Sequence, residues 1–280
     1  MKTNITIFLF FISTYVYSGH DNILGARSGG LGKSSVTLSG FWAGFNNQAA
    51  LANYNKLAAG IYYENQFIIK EMGLAAGGFI LPTKTGNFGL NLTWFGYNNY
   101  NEKKVGLGYG RKFGKSFSAG IQLDYLSTYI AEDYGRKDLL TFELGFMVSI
   151  GENIIFGGHL FNPVPVYLQK EFNDRVPTVF TIGASYKISE ELFITLETEK
   201  NSEFKPLIRG GIEYQIIDRV AVRIGYSTLP SQTGSTKFSI ASLYTFGFSL
   251  NFDKLNIDFS SSYHNVLGWS PSITAIFKFN

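Results

Sequence analysis

The chain has no cysteine, which excludes both disulfide stapling and lipid acylation of a cysteine. Charged residues make up only 16% of it, and its 24 basic and 21 acidic side chains leave a formal charge of +3. So small an excess implies no nucleic-acid partner. Histidine occurs three times, at His20, His159 and His264. None has a hydroxyl or carboxylate at a hydrolase spacing, and there is no His-x-x-x-His or cysteine cluster for a metal. The residues therefore predict no catalytic site, no metal and no cofactor. Long apolar runs are absent too, apart from one near the start. There Lys2 precedes an apolar stretch over 5–12, and Val16 and Ser18 occupy the small-residue positions of a signal-peptidase site. The run falls short of the roughly 20 residues a spanning helix needs, so 1–18 is expected to be a cleaved signal peptide.

What is present is aromatic and small. Phe and Tyr number 26 and 17, glycine 31, and the mean hydropathy is +0.04. A near-neutral average in an aromatic-rich, charge-poor chain results when alternate residues face lipid and water. The alternation is visible strand by strand. Over 139–150, Leu140, Phe142, Leu144, Phe146, Val148 and Ile150 are apolar, while Thr141, Glu143, Gly145 and Ser149 between them are polar or small. The same period of two recurs over 117–125, 180–188, 192–199, 208–216, 220–226 and 255–264. From residue 57 onward about fourteen such segments are separated alternately by compact links, such as 113–115, 151–153 and 218–219, and by longer polar stretches at 97–103, 128–137, 161–177, 200–206, 228–237 and 264–270.

Short turns alternating with longer loops, with both ends of the barrel on the short-turn side, is the arrangement of an all-β, antiparallel transmembrane barrel. A soluble β-sandwich would also alternate, but it would have edge strands to blunt, whereas a barrel closes them away. The expected organisation is a leader over 1–18, a plug-like segment over 19–56 and a barrel over 57–280, in contact with lipid in the outer membrane of a Gram-negative bacterium.

Strand parity turns Glu197, Glu199, Arg209, Glu213, Arg223, Asp258 and His264 toward the lumen. Opposite charges on adjacent strands pair across the ladder. Their near balance predicts an ion-pair network that stiffens the interior; a selective constriction is the alternative. Gly106, Gly108, Gly110, Gly120 and Gly145 leave one side of the interior with little bulk, room for a plug or a ligand. The plug candidate carries Phe41, Trp42, Phe45, Asn46 and Asn47 in an alanine-rich context unlike a disordered tail. Its glycines do not form a nucleotide loop, since no Lys-Ser/Thr follows at the required spacing. In 161–177, Asn162, Pro163 and Pro165 mark an extended surface suited to docking.

The order GARSGGLG, from Gly25, followed by FWAGFNNQAALA, from Phe41, resembles the amino-terminal motif of the outer-membrane long-chain fatty acid (FadL-like) transporter superfamily. It is most similar to the Bacteroidetes branch typified by the PorV and PorQ proteins of type IX secretion. FGGHLFNPVP from Phe156, and the closing hairpin with Asp258, Leu267 and Gly268, are similar to that branch as well. The chain departs at Asn47-Gln48-Ala49, where the superfamily has Asn-Pro-Ala, and at Ser39-Gly40, where an acidic residue is usual; its terminal aromatic, Phe279, stands one residue early. The resemblance implies a barrel that docks an outer-membrane protein partner or an exported client. The alternative it implies is a plugged channel for a small hydrophobic molecule.

Overall fold

The computed structural model describes residues 22–132, 135–169, 174–229 and 242–279; the expected leader lies outside them, as does most of the expected loop at 228–237. Fourteen strands close into one antiparallel barrel, as the alternation predicts. They are β1 (Ala58–Asn65), β2 (Gly73–Pro82), β3 (Asn87–Tyr97), β4 (Tyr100–Phe113), β5 (Phe117–Ile130), β6 (Gly135–Ile150), β7 (Ile154–Phe161), β10 (Val179–Lys187), β11 (Leu192–Asn201), β12 (Leu207–Ile217), β13 (Val220–Thr228), β14 (Ser242–Asn251), β15 (Leu255–His264) and β16 (Gly268–Lys278). β16 pairs back onto β1, Ala58 against Lys278 through Glu64 against Ser272, so the sheet has no free edge. A two-stranded piece, β8 (Tyr167–Gln169) with β9 (Asp174–Arg175), stands in the connection between β7 and β10.

Each strand puts large apolar side chains outward. On β3 these are Phe88, Leu90, Leu92 and Trp94; on β5, Ile121, Leu123 and Tyr125; on β14, Tyr244, Phe246 and Phe248. The intervening residues are buried inside.

Two expected loops are strand instead. Tyr97 pairs with Tyr100, so Asn98 and Asn99 alone connect β3 and β4 within the expected 97–103 loop. Ile130 pairs with Gly135, which extends β5 and β6 through most of 128–137. Polar residues such as Glu102, Lys103 and Lys137 look like loop because the ladder there has left the apolar zone, and neither face needs to be hydrophobic.

The interior is filled by residues 22–56. They form two short helices, α1 (Ala26–Gly30) and α2 (Ala43–Asn46), and a 3-10 turn over Gln48–Asn53. The wall admits them by giving up side chains. Inward glycines come from most strands, often in paired register, as in Gly60 with Gly78, Gly110 with Gly120 and Gly145, and Gly211 with Gly225. A Cβ on Gly120 would stand 2.4 Å from Gln48, and one on Gly211 2.6 Å from Leu31. Of the glycines read as empty space in the sequence, Gly108, Gly110, Gly120 and Gly145 seat the inner segment, whereas Gly106 makes room for the wall side chains of Asn91, Gln122 and Asp124.

Candidate functional site

Arg27, in the first helix of the inner segment, is held from the wall. Its Nε and Nη2 donate to Glu213 of β12 at 2.8 and 2.7 Å, and Nη1 donates to the Ser39 carbonyl at 2.7 Å. Burial works against the Arg27 charge, but Glu213 outweighs it and raises the guanidinium above its usual value. The flanking glycines are required by the fold. Gly25 has φ +96, and a Cβ there would stand 2.6 Å from the Trp42 Cβ; Gly32 has φ +70 and faces the Tyr226 carbonyl at 2.4 Å.

Three further wall glutamates grip the same segment. Glu64 of β1 pairs with Lys33 at 3.0 Å. Glu197 of β11 accepts the Ser35 and Val36 amides at 2.8 and 2.9 Å. Glu143 of β6 takes a hydrogen bond from the Gln48 side chain. Asn87 adds a neutral tie, donating to the Leu51 and Tyr54 carbonyls at 2.6 and 2.8 Å.

The lumen residues singled out from the sequence fall into two networks rather than one. Arg209 bridges Glu197 at 3.2 Å and Glu199 at 2.7 Å. Arg223 joins Glu213 at 2.5 Å to Asp258 at 3.4 Å, so Arg27, Glu213, Arg223 and Asp258 form a continuous chain. His264 belongs to neither. It ends β15, accepts the Val266 and Leu267 amides on Nδ1 at 3.0 and 3.1 Å, and packs edge-on against Phe67. Six residues of strand, about 20 Å, separate it from Asp258. Parity gave its side of the sheet correctly but not its height.

A third network escaped the sequence reading. Glu143 is fully buried and takes Lys104 Nζ at 2.7 Å, Gln122 at 3.2 Å and His159 Nε2 at 2.9 Å; Gln122 also donates to Asp124 at 2.9 Å. Period two placed Gln122, Asp124 and Glu143 inside, but Lys104 borders a stretch read as loop and His159 looked solitary.

All five plug residues are buried within the barrel. Phe41, Trp42 and Phe45 stack edge-on and tilted, with ring centroids 5.1 to 5.8 Å apart. Asn46 exchanges hydrogen bonds with the Leu24 backbone, and Asn47 donates to the Val36 and Phe146 carbonyls while capping the 3-10 turn. The aromatics join wall residues of β1, β2, β3 and β16 in one apolar cluster. It extends from Ala58, Ile80 and Ile276 near the short-turn end to Leu74 and Phe95 near the other. Ile80 and Leu74 lie six residues apart on β2, so the cluster follows that strand for about 20 Å.

Asn162 does not present a docking surface, contrary to expectation. It is fully buried with φ +50, accepts from Thr141 Oγ1 and donates to the Val176 carbonyl, both at 2.7 Å. Its side chain ties the β7–β10 connection to the barrel. Val164 and Pro165 beside it are exposed, and Pro163 is half-buried.

No family model and no curated protein sequence matches the chain. Solved structures do. The CymD monoaromatic hydrocarbon channel superposes with a TM-score of 0.71 at 11% identity, over 94% of this chain and 99% of that one. The toluene transporter TodX of Pseudomonas putida gives 0.67 at 11% identity, over 92% and 99%. A Pseudomonas aeruginosa FadL homologue gives 0.64 at 12% identity, over 91% and 98%. The chain shares their fold. At these identities the likeness concerns architecture alone, and it does not single out the PorV and PorQ branch.

Proposed function

We propose that this protein is an outer-membrane channel for small apolar molecules, non-enzymatic, with residues 22–56 as a plug that must shift for passage. The observation that carries this reading is the largest of the buried apolar clusters inside the barrel, with one side supplied by wall strands and the other by the aromatic rings of Phe41, Trp42 and Phe45 of the inner segment. A wall built only to be filled would need no such division. The structures that superpose on the chain include a monoaromatic hydrocarbon channel and a toluene transporter, which supports the same reading. The outward apolar face supports a membrane location, because a closed barrel leaves no backbone hydrogen-bonding group unpaired toward lipid.

The test is accumulation of radiolabelled methylcyclohexane by cells whose outer membrane carries the protein. Entry faster than in cells lacking it is expected, with a further rise when Phe41 and Phe45 become Ala. Equal rates in all three strains would refute the channel.

The docking role keeps one supporting observation, the exposed Val164-Pro165 edge. Co-purification of a stoichiometric outer-membrane partner, lost on replacing both residues by Ser, would favour it over the channel.

A further inference from the structure

A cavity of about 350 Å³ lies between the inner segment and strands β12–β16, toward the short-turn end of the barrel. Its size is at the lower end of the range for small-molecule sites. Ser39 on its rim is exposed, so the space opens to solvent. Its walls differ in kind. Phe41, Trp42, Tyr54 and Ile276 make one side apolar. Arg27, Arg223, Glu213, Asp258, Asn251 and Lys278 make the other polar and of mixed charge.

We propose that this cavity binds a small hydroxylated apolar molecule, a single-ring alcohol or phenol, with its ring on Phe41, Trp42 and Tyr54 and its hydroxyl on the polar wall. The choice of head group follows from donors and acceptors. A bare hydrocarbon would use the apolar wall and leave the spare donors of Lys278 and the Asn251 amide on the other unused. An ionised carboxylate only accepts, and since Arg27 and Arg223 are already taken by Glu213 and Asp258, it would find Lys278 as its one uncommitted cationic partner there while bordering those two carboxylates. A hydroxyl both donates and accepts, so it suits a wall that offers the Lys278 ammonium beside carboxylates and the Asn251 amide. Lys278 has donors to spare, since its recorded hydrogen bond goes to the neutral Asn256 Oδ1 at 2.9 Å.

The inference deepens the channel reading by naming what its short-turn end receives, and it is tested by binding rather than passage. Trp94 and Trp269 face outward; replacing both with Phe leaves Trp42 as the sole indole emitter. The detergent-solubilised barrel is titrated with cyclohexanol, methylcyclohexane and cyclohexanecarboxylate, which do not absorb at the exciting wavelength. Cyclohexanol is expected to shift Trp42 emission saturably, at a half-saturating concentration about 10-fold below either other probe. Lys278→Met and, separately, Asn251→Leu should bring that preference toward 2-fold, in barrels that still show heat-modifiable mobility on gels. Equal or tighter binding of methylcyclohexane or of the carboxylate, no saturable signal, or a preference unmoved by both variants would each overturn the assignment. A barrel that binds cyclohexanol but speeds no hydrocarbon entry sinks the channel reading alone. Hydrocarbon entry without cyclohexanol binding sinks this inference alone.

Discussion

Glu213→Gln should loosen the start of the inner segment while leaving the barrel closed. Glu213 receives two hydrogen bonds from Arg27, at 2.7 and 2.8 Å, and a third from Arg223. Glutamine keeps one acceptor oxygen, so Arg27 loses one charge-assisted bond and the opposing charge; such bonds contribute about 1.5 to 3 kcal/mol each. Arg223 retains Asp258 and Ser249. The Arg27 side chain is 29% exposed, so water takes up part of the loss, and the net cost is about 2 kcal/mol. At roughly 1.4 kcal/mol per decade, the detached state becomes about 30-fold more populated. Hydrogen exchange read by mass spectrometry reports this directly. The Gly29 and Leu31 amides, bonded to the Gly25 and Ser28 carbonyls, should exchange about 30-fold faster, with strand peptides unchanged. Exchange within about 3-fold of wild type across 26–33, in a folded barrel, would refute the clamp. An equal rise in the strands would show a barrel stiffened by the network rather than a segment held by it.

Gly145→Val drives a side chain into the space where a Cβ already stands 2.1 Å from Asn47 Oδ1, at a cost of about 1 to 3 kcal/mol; it should raise planar-bilayer conductance, whereas Gly77→Ala, with nothing within 4 Å, should not. The buried Tyr54 phenol titrates near 12 against an ordinary 10.0, so its neutral form stabilises the folded state below about pH 10 and that contribution is lost as pH rises toward 12. Alkaline loosening of the inner segment, measured by exchange, should therefore weaken in Tyr54→Phe. Asn162→Ala removes the bonds to Thr141 and Val176 and leaves a Cβ at φ +50; protease nicking within 163–178 should rise severalfold with the barrel intact, and an unchanged digestion pattern would refute the tie.

The barrel was legible because lipid outside and polar filling inside impose a period of two on every strand. Strand ends were less so. Above the apolar zone both faces are polar, and Glu102-Lys103 on a ladder reads like Glu-Lys in a loop. Parity also says which side a residue takes without saying how high it sits or whom it meets. Lys104, Asp124, Glu143 and His159 lie some twenty residues apart and meet through the register of four strands. Arg27 and Glu213 are 186 residues apart, and nothing local in either pairs them. Asn162-Pro163 carries loop composition, which concealed that the asparagine turns inward at positive φ to close the loop against the wall.

The four wall glutamates also predict which part of the plug moves first. Two of them, on β11 and β12, lie across the barrel from β2 and β3, where the apolar cluster runs, and a third, on β6, stands three strands away from β3. Buried charges recover little beyond their desolvation, so these contacts fix position more than they add stability. The aromatic residues, by contrast, are held by packing, and an entering hydrocarbon replaces packing with packing at little net cost. Passage is therefore expected to displace Phe41 to Phe45 while Ser35, Val36 and Gln48 stay clamped. Under saturating methylcyclohexane the Gly44 and Phe45 amides, bonded to the Phe41 and Trp42 carbonyls, should lose protection. The Val36 amide on Glu197 and the Ala50 amide on the Asn47 carbonyl should keep it. A uniform loss from 26 to 52 would mean that the plug leaves as one body, and the division of the lumen into a clamped half and a yielding half would be wrong.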